Sequence, residues 1–187
     1  NVPFGNFSVY DERYNKYNFR IHDYFFVKTL DKVRAGGVVA FVTSKGTMDK
    51  KDPSVRKYLA ERAELLGAIR LPMTAFFANA NTKVTTDILF FQKRERQLAG
   101  ASPEWVELGE TAEGVPVNRY FLEHPEMILG RMAFNKSMYG NAMETACEPF
   151  LDRPLEKLLE TAVENIRGTI PQPEVAFDID GANEMKI

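Results

Sequence analysis

Apolar positions are spaced in two different ways along the first half of the chain. Between residues 19 and 35 they fall at Ile21, Phe25, Phe26, Leu30 and Val33, the spacing of one helical face, and Gly36-Gly37 supplies a stop. Residues 38–42 (VVAFV) then run apolar on both faces, as in a strand covered on both sides. Asp52-Pro53 begins a second helix, a capping carboxylate followed by proline at the first helical position. Its apolar face continues through Val55, Tyr58, Leu59 and Leu66 to Gly67. Residues 67–71 (GAIRL) read as a second strand and 84–94 (VTTDILFFQKR) as a third. Helix, strand, helix and strand in this order predict α/β winding with parallel strands. Residues 72–83 leave no room for a crossover helix, so the third strand should run antiparallel, lying between the other two.

The pattern changes after Arg94. Residues 93–103 (KRERQLAGASP) are charged and small, the composition of a linker. Short β-like pieces are expected at 105–108, 131–138 and 143–150, the last two joined by a turn at 139–141 (YGN). Residues 118–130 (NRYFLEHPEMILG) predict a short capped helix broken at Pro125. Asp152 is placed to cap a last amphipathic helix carrying Leu155, Leu158, Leu159, Ala162, Val163 and Ile166 on one face. The expected organisation is a unit over 1–94, a linker over 95–104, a small α+β segment over 105–167, and an extended or disordered tail over 168–187.

Composition narrows the function classes. The 187 residues are 44% hydrophobic and 27% charged, ordinary for a folded domain. A net charge of −2 argues against a polycation built to coat nucleic acid, while leaving room for a local basic patch. Cys147 is the single cysteine, so no intrachain disulfide can form, and a reducing, cytoplasmic location is expected. It reads as a small apolar filler, and His22 and His124 as ordinary helix or loop residues. Two histidines and one cysteine leave no zinc spacing, and no apolar run is long enough for a membrane helix.

The chain opens on Asn1-Val2-Pro3-Phe4, an amide, a proline and an aromatic in tight succession. This NVPF resembles the Asn-Pro-Pro-aromatic signature of amino-group methyltransferases, especially N6-adenine DNA methyltransferases. In that family the signature ends the fourth strand of a doubly wound sheet, and a helix, a Gly-Gly turn, a buried strand, a helix and an antiparallel strand pair follow. Residues 36–44 (GGVVAFVTS) and 71–94 (LPMTAFFANANTKVTTDILFFQKR) are similar to those parts, the latter to type I modification subunits. Residues 120–130 (YFLEHPEMILG) resemble a segment found in methylase–helicase fusions of mobile elements. The implied fold is α/β: the C-terminal half of a Rossmann-like methyltransferase sheet, with parallel strands and one antiparallel strand, followed by a small α+β segment.

The resemblance also implies a chemistry. Adenine N6 is a poor nucleophile because its lone pair is delocalised into the ring. The Asn1 amide oxygen and the Val2 carbonyl would accept its two N–H bonds and orient it for methylation by S-adenosyl-L-methionine. Pro3 would stiffen the loop, and Phe4 would stack on the extruded base. Val2 stands where the family has its first proline; the carbonyl role survives, with one constraint lost. Phe76 and Phe77 fall in a segment that gives the flipped base a second face, Phe76 matching better, unless one of them is core. Lys45, Lys50, Lys51 and Lys83 lie on loops expected around the same pocket, where they would meet phosphates or form a solvated loop.

The Gly-rich turn and ribose-binding acid that hold the cofactor in this family are not found in the sequence, and Gly36-Gly37 follows a helix instead of a strand. The expectation is a half-domain inactive alone, prone to self-association through its uncovered sheet, from a restriction–modification or mobile-element system. DNA is the expected partner. An RNA or protein-amide acceptor, or a non-catalytic module with a methylase-like half-fold, are the alternatives.

Overall fold

Helix α1 (Ile21–Lys32) buries Ile21, Tyr24, Phe26, Val27 and Leu30 along one stripe. Phe25, placed by spacing on that stripe, is instead partly exposed and meets Tyr24 edge-on at 5.5 Å. The structure is a computed structural model describing residues 2, 3, 5, 7–136, 143–166 and 168, the side chains of 79 and 80 excepted. The stop after α1 is set by Gly36 at φ 71°, in the left-handed region that glycine tolerates. The Gly36 amide donates to the Lys93 carbonyl and the Lys93 amide to that of Gly37, both at 2.8 Å, so the stop is docked onto the end of a strand.

Strand β1 (Val38–Ser44) leads into the one-turn helix α2 (Gly46–Asp49). The Asp52 carboxylate accepts from the Ser54 amide at 3.0 Å at the start of α3 (Ser54–Arg62). The chain turns into β2 (Ala63–Leu71) directly after Arg62, so the expected helix ends early and Leu66 lies in a strand. The cause is the ladder: pairing with β3 begins at Ala63, and Leu66 is the extra residue of a bulge between Leu65 and Gly67. After the one-turn helix α4 (Phe77–Ala80), β3 (Thr86–Lys93) pairs antiparallel with both earlier strands, in the order β1-β3-β2. β1 and β2 therefore point the same way without being neighbours, as the short connection required, and the described sheet has only antiparallel pairs.

Trp105 sits in a 3-10 turn (Glu104–Val106), not in the expected strand, because its ring drops into the core 5.7 Å from Phe91. Two antiparallel ribbons follow, β4 (Leu108–Glu110) with β5 (Pro116–Asn118), and β6 (Gly130–Lys136) with β7 (Met143–Pro149). The expected turn at 139–141 lies outside the described residues. Between the ribbons, α5 (Arg119–Glu123) is capped by Asn118, whose side chain accepts from the Tyr120 amide, and Pro125 opens a 3-10 turn. The last helix, α6 (Leu155–Glu164), starts at Pro154 without a side-chain cap, so Asp152 does not have the expected role. Gly67 makes room for the residue that follows the C-cap of α6: a Cβ there would run into the Ile166 side chain.

One apolar cluster runs through the whole described chain. It contains Phe26, Leu30, Phe41, Leu59, Ile69, Leu89 and Phe91 together with Trp105, Val106, Phe121, Leu129 and Cys147. A polar thread crosses the same interior. Arg70, fully buried, pairs with Asp87 at 2.8 and 2.9 Å and with Asp49 at 2.8 Å, and lies over the Phe121 ring at 4.3 Å. Burial works against its charge, but the two carboxylates outweigh that and keep it cationic. Asp49 also accepts from the Asn118 amide at 3.0 Å, and the Asn118 side chain donates to the Met48 and Trp105 carbonyls at 2.8 Å each.

Candidate functional site

The ends of β1 and β3 open into a cleft of about 700 Å³. Gly5 lies on its rim, three residues from Val2, which is anchored in the core. Pro3 is exposed. Asn1 and Phe4 lie outside the described residues. The segment is tied down where the Ile21 amide donates to the Phe7 carbonyl at 2.9 Å, bringing the opening stretch beside the start of α1.

Lys45, Lys50, Lys51 and Lys83, from three separate loops, all line this one cleft. Their convergence follows from the sheet. The Lys45 amide donates to the Thr85 carbonyl at 3.1 Å where β1 ends opposite the start of β3, and the buried Thr43 and Thr47 hydroxyls, 3.0 Å apart, close the turn into α2. Asp49 brings a carboxylate to the floor, already paired to Arg70.

The two phenylalanines behave differently. Phe76 packs against the core, while Phe77 is exposed, with the Lys83 ammonium 5.3 Å from its ring centre. Neither lines the cleft. Arg20, His22, Asn135 and Lys136 do line it, although no sequence motif marks Arg20, Asn135 or Lys136 and His22 reads as an ordinary helix residue. His22 lies 3.4 Å from Asp23, whose second oxygen is 3.9 Å from the Lys50 ammonium. Burial lowers His22 and raises Asp23 against their mutual attraction, which leaves the imidazole neutral at neutral pH. Arg20 has a recoverable signal, a cation at the start of α1. Asn135 and Lys136 reach the cleft only through tertiary packing, which no local pattern encodes.

Gly36-Gly37 does not fit a cofactor cradle, since both residues are committed to the junction with Lys93. Among the described residues no acidic, histidine or cysteine cluster could hold a metal ion, and no helix is long and apolar enough to cross a membrane.

The family model described as N-6 DNA Methylase matches residues 3–107, and the chain belongs to that family. It is 31% identical over 107 residues to the "Defense against restriction protein B" of Escherichia phage P1. That alignment covers 55% of this chain and 5% of the phage protein, so the chain spans a small part of the relative's length. No solved structure matches the chain.

Proposed function

We propose that this chain is the acceptor-side half of a DNA methyltransferase that modifies adenine N6, acting in the cytoplasm in a restriction–modification or mobile-element setting. The supporting observation is the cleft: four lysines from three loops converge on it, and Gly5, the residue that follows Asn-Val-Pro-Phe in sequence, also lines it, in a chain of the N-6 DNA methylase family. A phage relative named for defence against restriction is consistent with the setting. In this reading residues 1–94 complete a Rossmann-like sheet and 105–167 form an appended segment. S-adenosyl-L-methionine is the methyl donor, held by parts of the full-length protein other than the residues described.

The acceptor is handled by named groups. Asn1 and the Val2 carbonyl accept the two N6–H bonds and hold the amino group in one orientation. Pro3 fixes the loop and Phe4 stacks on the extruded base. Phe77, exposed beside Lys83, is better placed than core-packed Phe76 to meet a base, and Lys45 and Lys83 meet phosphates.

The test uses the full-length protein and single-turnover transfer of labelled methyl to an adenine-containing duplex, with cofactor affinity measured separately. Asn1→Ala should reduce turnover ~10²–10³-fold with little change in cofactor affinity, since it removes one oriented acceptor. Phe4→Ala should weaken productive capture by about 1–3 kcal/mol, and Phe4→Trp should retain much of the activity. Transfer by Asn1→Ala at the parental rate would remove the main support for the assignment.

A further inference from the structure

The cleft has a second wall that does not come from the half-sheet. Asn135 and Lys136, at the end of β6, and Glu144 and Thr145, near the start of β7, line it together with the lysine loops. We propose that the β6–β7 ribbon is a fixed nucleic-acid wall, in which Lys136 takes a backbone phosphate of the strand carrying the target base and Glu144 repels one. This rests on the methyltransferase reading above and assigns a role to the appended segment.

Three observations carry it. The first is charge: Arg20, Lys45, Lys50, Lys51, Lys83 and Lys136 line the cleft against two carboxylates, Asp49 and Glu144. Asp49 shares the single charge of Arg70 with Asp87, and Lys50 lies 3.9 Å from Asp23, so the lining keeps a surplus of cations, with Glu144 set among them, on a chain whose net charge is −2. Such a local reversal of sign marks a polyanion site.

The second is rigidity. The Met73 amide donates to the Cys147 carbonyl at 2.7 Å and the Cys147 amide to the Thr85 hydroxyl at 2.8 Å. Asn135 reaches the Met73 sulfur at 3.7 Å, and the Leu129 amide donates to the Arg70 carbonyl at 2.9 Å. The ribbon is thereby bolted to both ends of the connection that carries Phe77 and Lys83, and the distance between the walls is set by the fold.

The third is size. A volume of about 700 Å³ accommodates an extruded nucleotide and its phosphates, whereas a duplex must lie across the mouth. Lys136, an exposed cation at that mouth, can meet such a strand without rearrangement.

The experiment measures affinity of the full-length protein for a fluorescein-labelled adenine-containing duplex by anisotropy across a salt series. Lys136→Glu should weaken binding about tenfold, the loss of one charged contact, and reduce the slope of log affinity against log salt by about one. Glu144→Gln should act in the opposite direction and tighten binding. Lys45→Glu reports on the first wall, and thermal unfolding confirms that each variant is folded. Loss of affinity in Lys45→Glu with parental affinity and slope in both ribbon variants would overturn the second wall and leave the methyltransferase reading intact. Opposite shifts in the ribbon variants, in a protein that transfers no methyl to adenine, would uphold the wall and sink that reading.

Discussion

Asp87 and Arg70 face each other on adjacent strands, both fully buried, and the one charge of Arg70 serves both Asp87 and Asp49. Taking a charge out of water costs several kcal/mol, and removing one partner leaves that cost uncompensated. Arg70→Met, which strips two carboxylates of their cation, should therefore lower stability to urea by roughly 3–5 kcal/mol, while Asp87→Ala should cost less because Asp49 still pairs with Arg70. Cys147 offers a second residue-scale test. Burial pushes its thiol up to about 12, against ~8.5 in an unfolded chain. Between those values the native state holds more protons than the unfolded one, so stability falls as pH rises, by up to ~1.4 kcal/mol per pH unit. Cys147→Ala should flatten the alkaline limb of a stability–pH curve, and the native thiol should resist alkylation at pH 8. The Arg70–Asp87 pairing is not legible in the sequence, because both residues sit inside runs that read as ordinary strand. The loop positions of Lys45, Lys50, Lys51 and Lys83 are legible, since each stands in a loop that the sequence punctuation marks.

Elements were read well where a local signal existed and poorly where partners decided. The Gly36 stop, the antiparallel third strand and the Asn118-capped helix broken at Pro125 each have a local cause in backbone freedom, loop length or side-chain chemistry. The end of α3 was misplaced because Leu65 and Leu66 fit a helical face as well as a bulged strand, and only the β3 ladder chooses between them. Trp105 was assigned to a strand for its β propensity, although the pull of the core governs it. Asn118 is the most testable of these positions. It caps α5 and satisfies the buried Met48 and Trp105 carbonyls, so Asn118→Ala should cost roughly 2–4 kcal/mol in chemical denaturation. Asn118→Ser keeps an oxygen for the cap but loses both donors, and should fall between the parent and the alanine variant.

At the scale of the molecule the sheet is covered unevenly. α1 packs on one face of β1, where Val39, Phe41 and Thr43 are buried, and α6 lies over β2 on the other. Val38, Ala40 and Val42 stay partly open, and β1 has β3 as its one partner among the described strands. An apolar strand with a free edge invites a second strand. The 187-residue chain should therefore self-associate in sedimentation velocity, and Ala40→Lys should shift it toward monomer; a parent that sediments as monomer at high concentration would remove this expectation.

The bolt between Cys147 and Thr85 closes a span of 62 residues, whereas the β2–β3 ladder joins pairs as near in sequence as Leu71 and Thr86. Closing a longer loop costs more entropy, and contacts of high sequence separation form slowly. During synthesis at ~5–20 residues per second, about 3–12 s pass between the appearance of Thr85 and that of Cys147. Over that interval the sheet strands are made and the second wall is not. Pulsed hydrogen exchange on refolding should find the Cys147 amide protected after those of β2 and β3. The cleft is thus a late product of folding, and a chain arrested before its ribbon displays its lysines without the surface that opposes them.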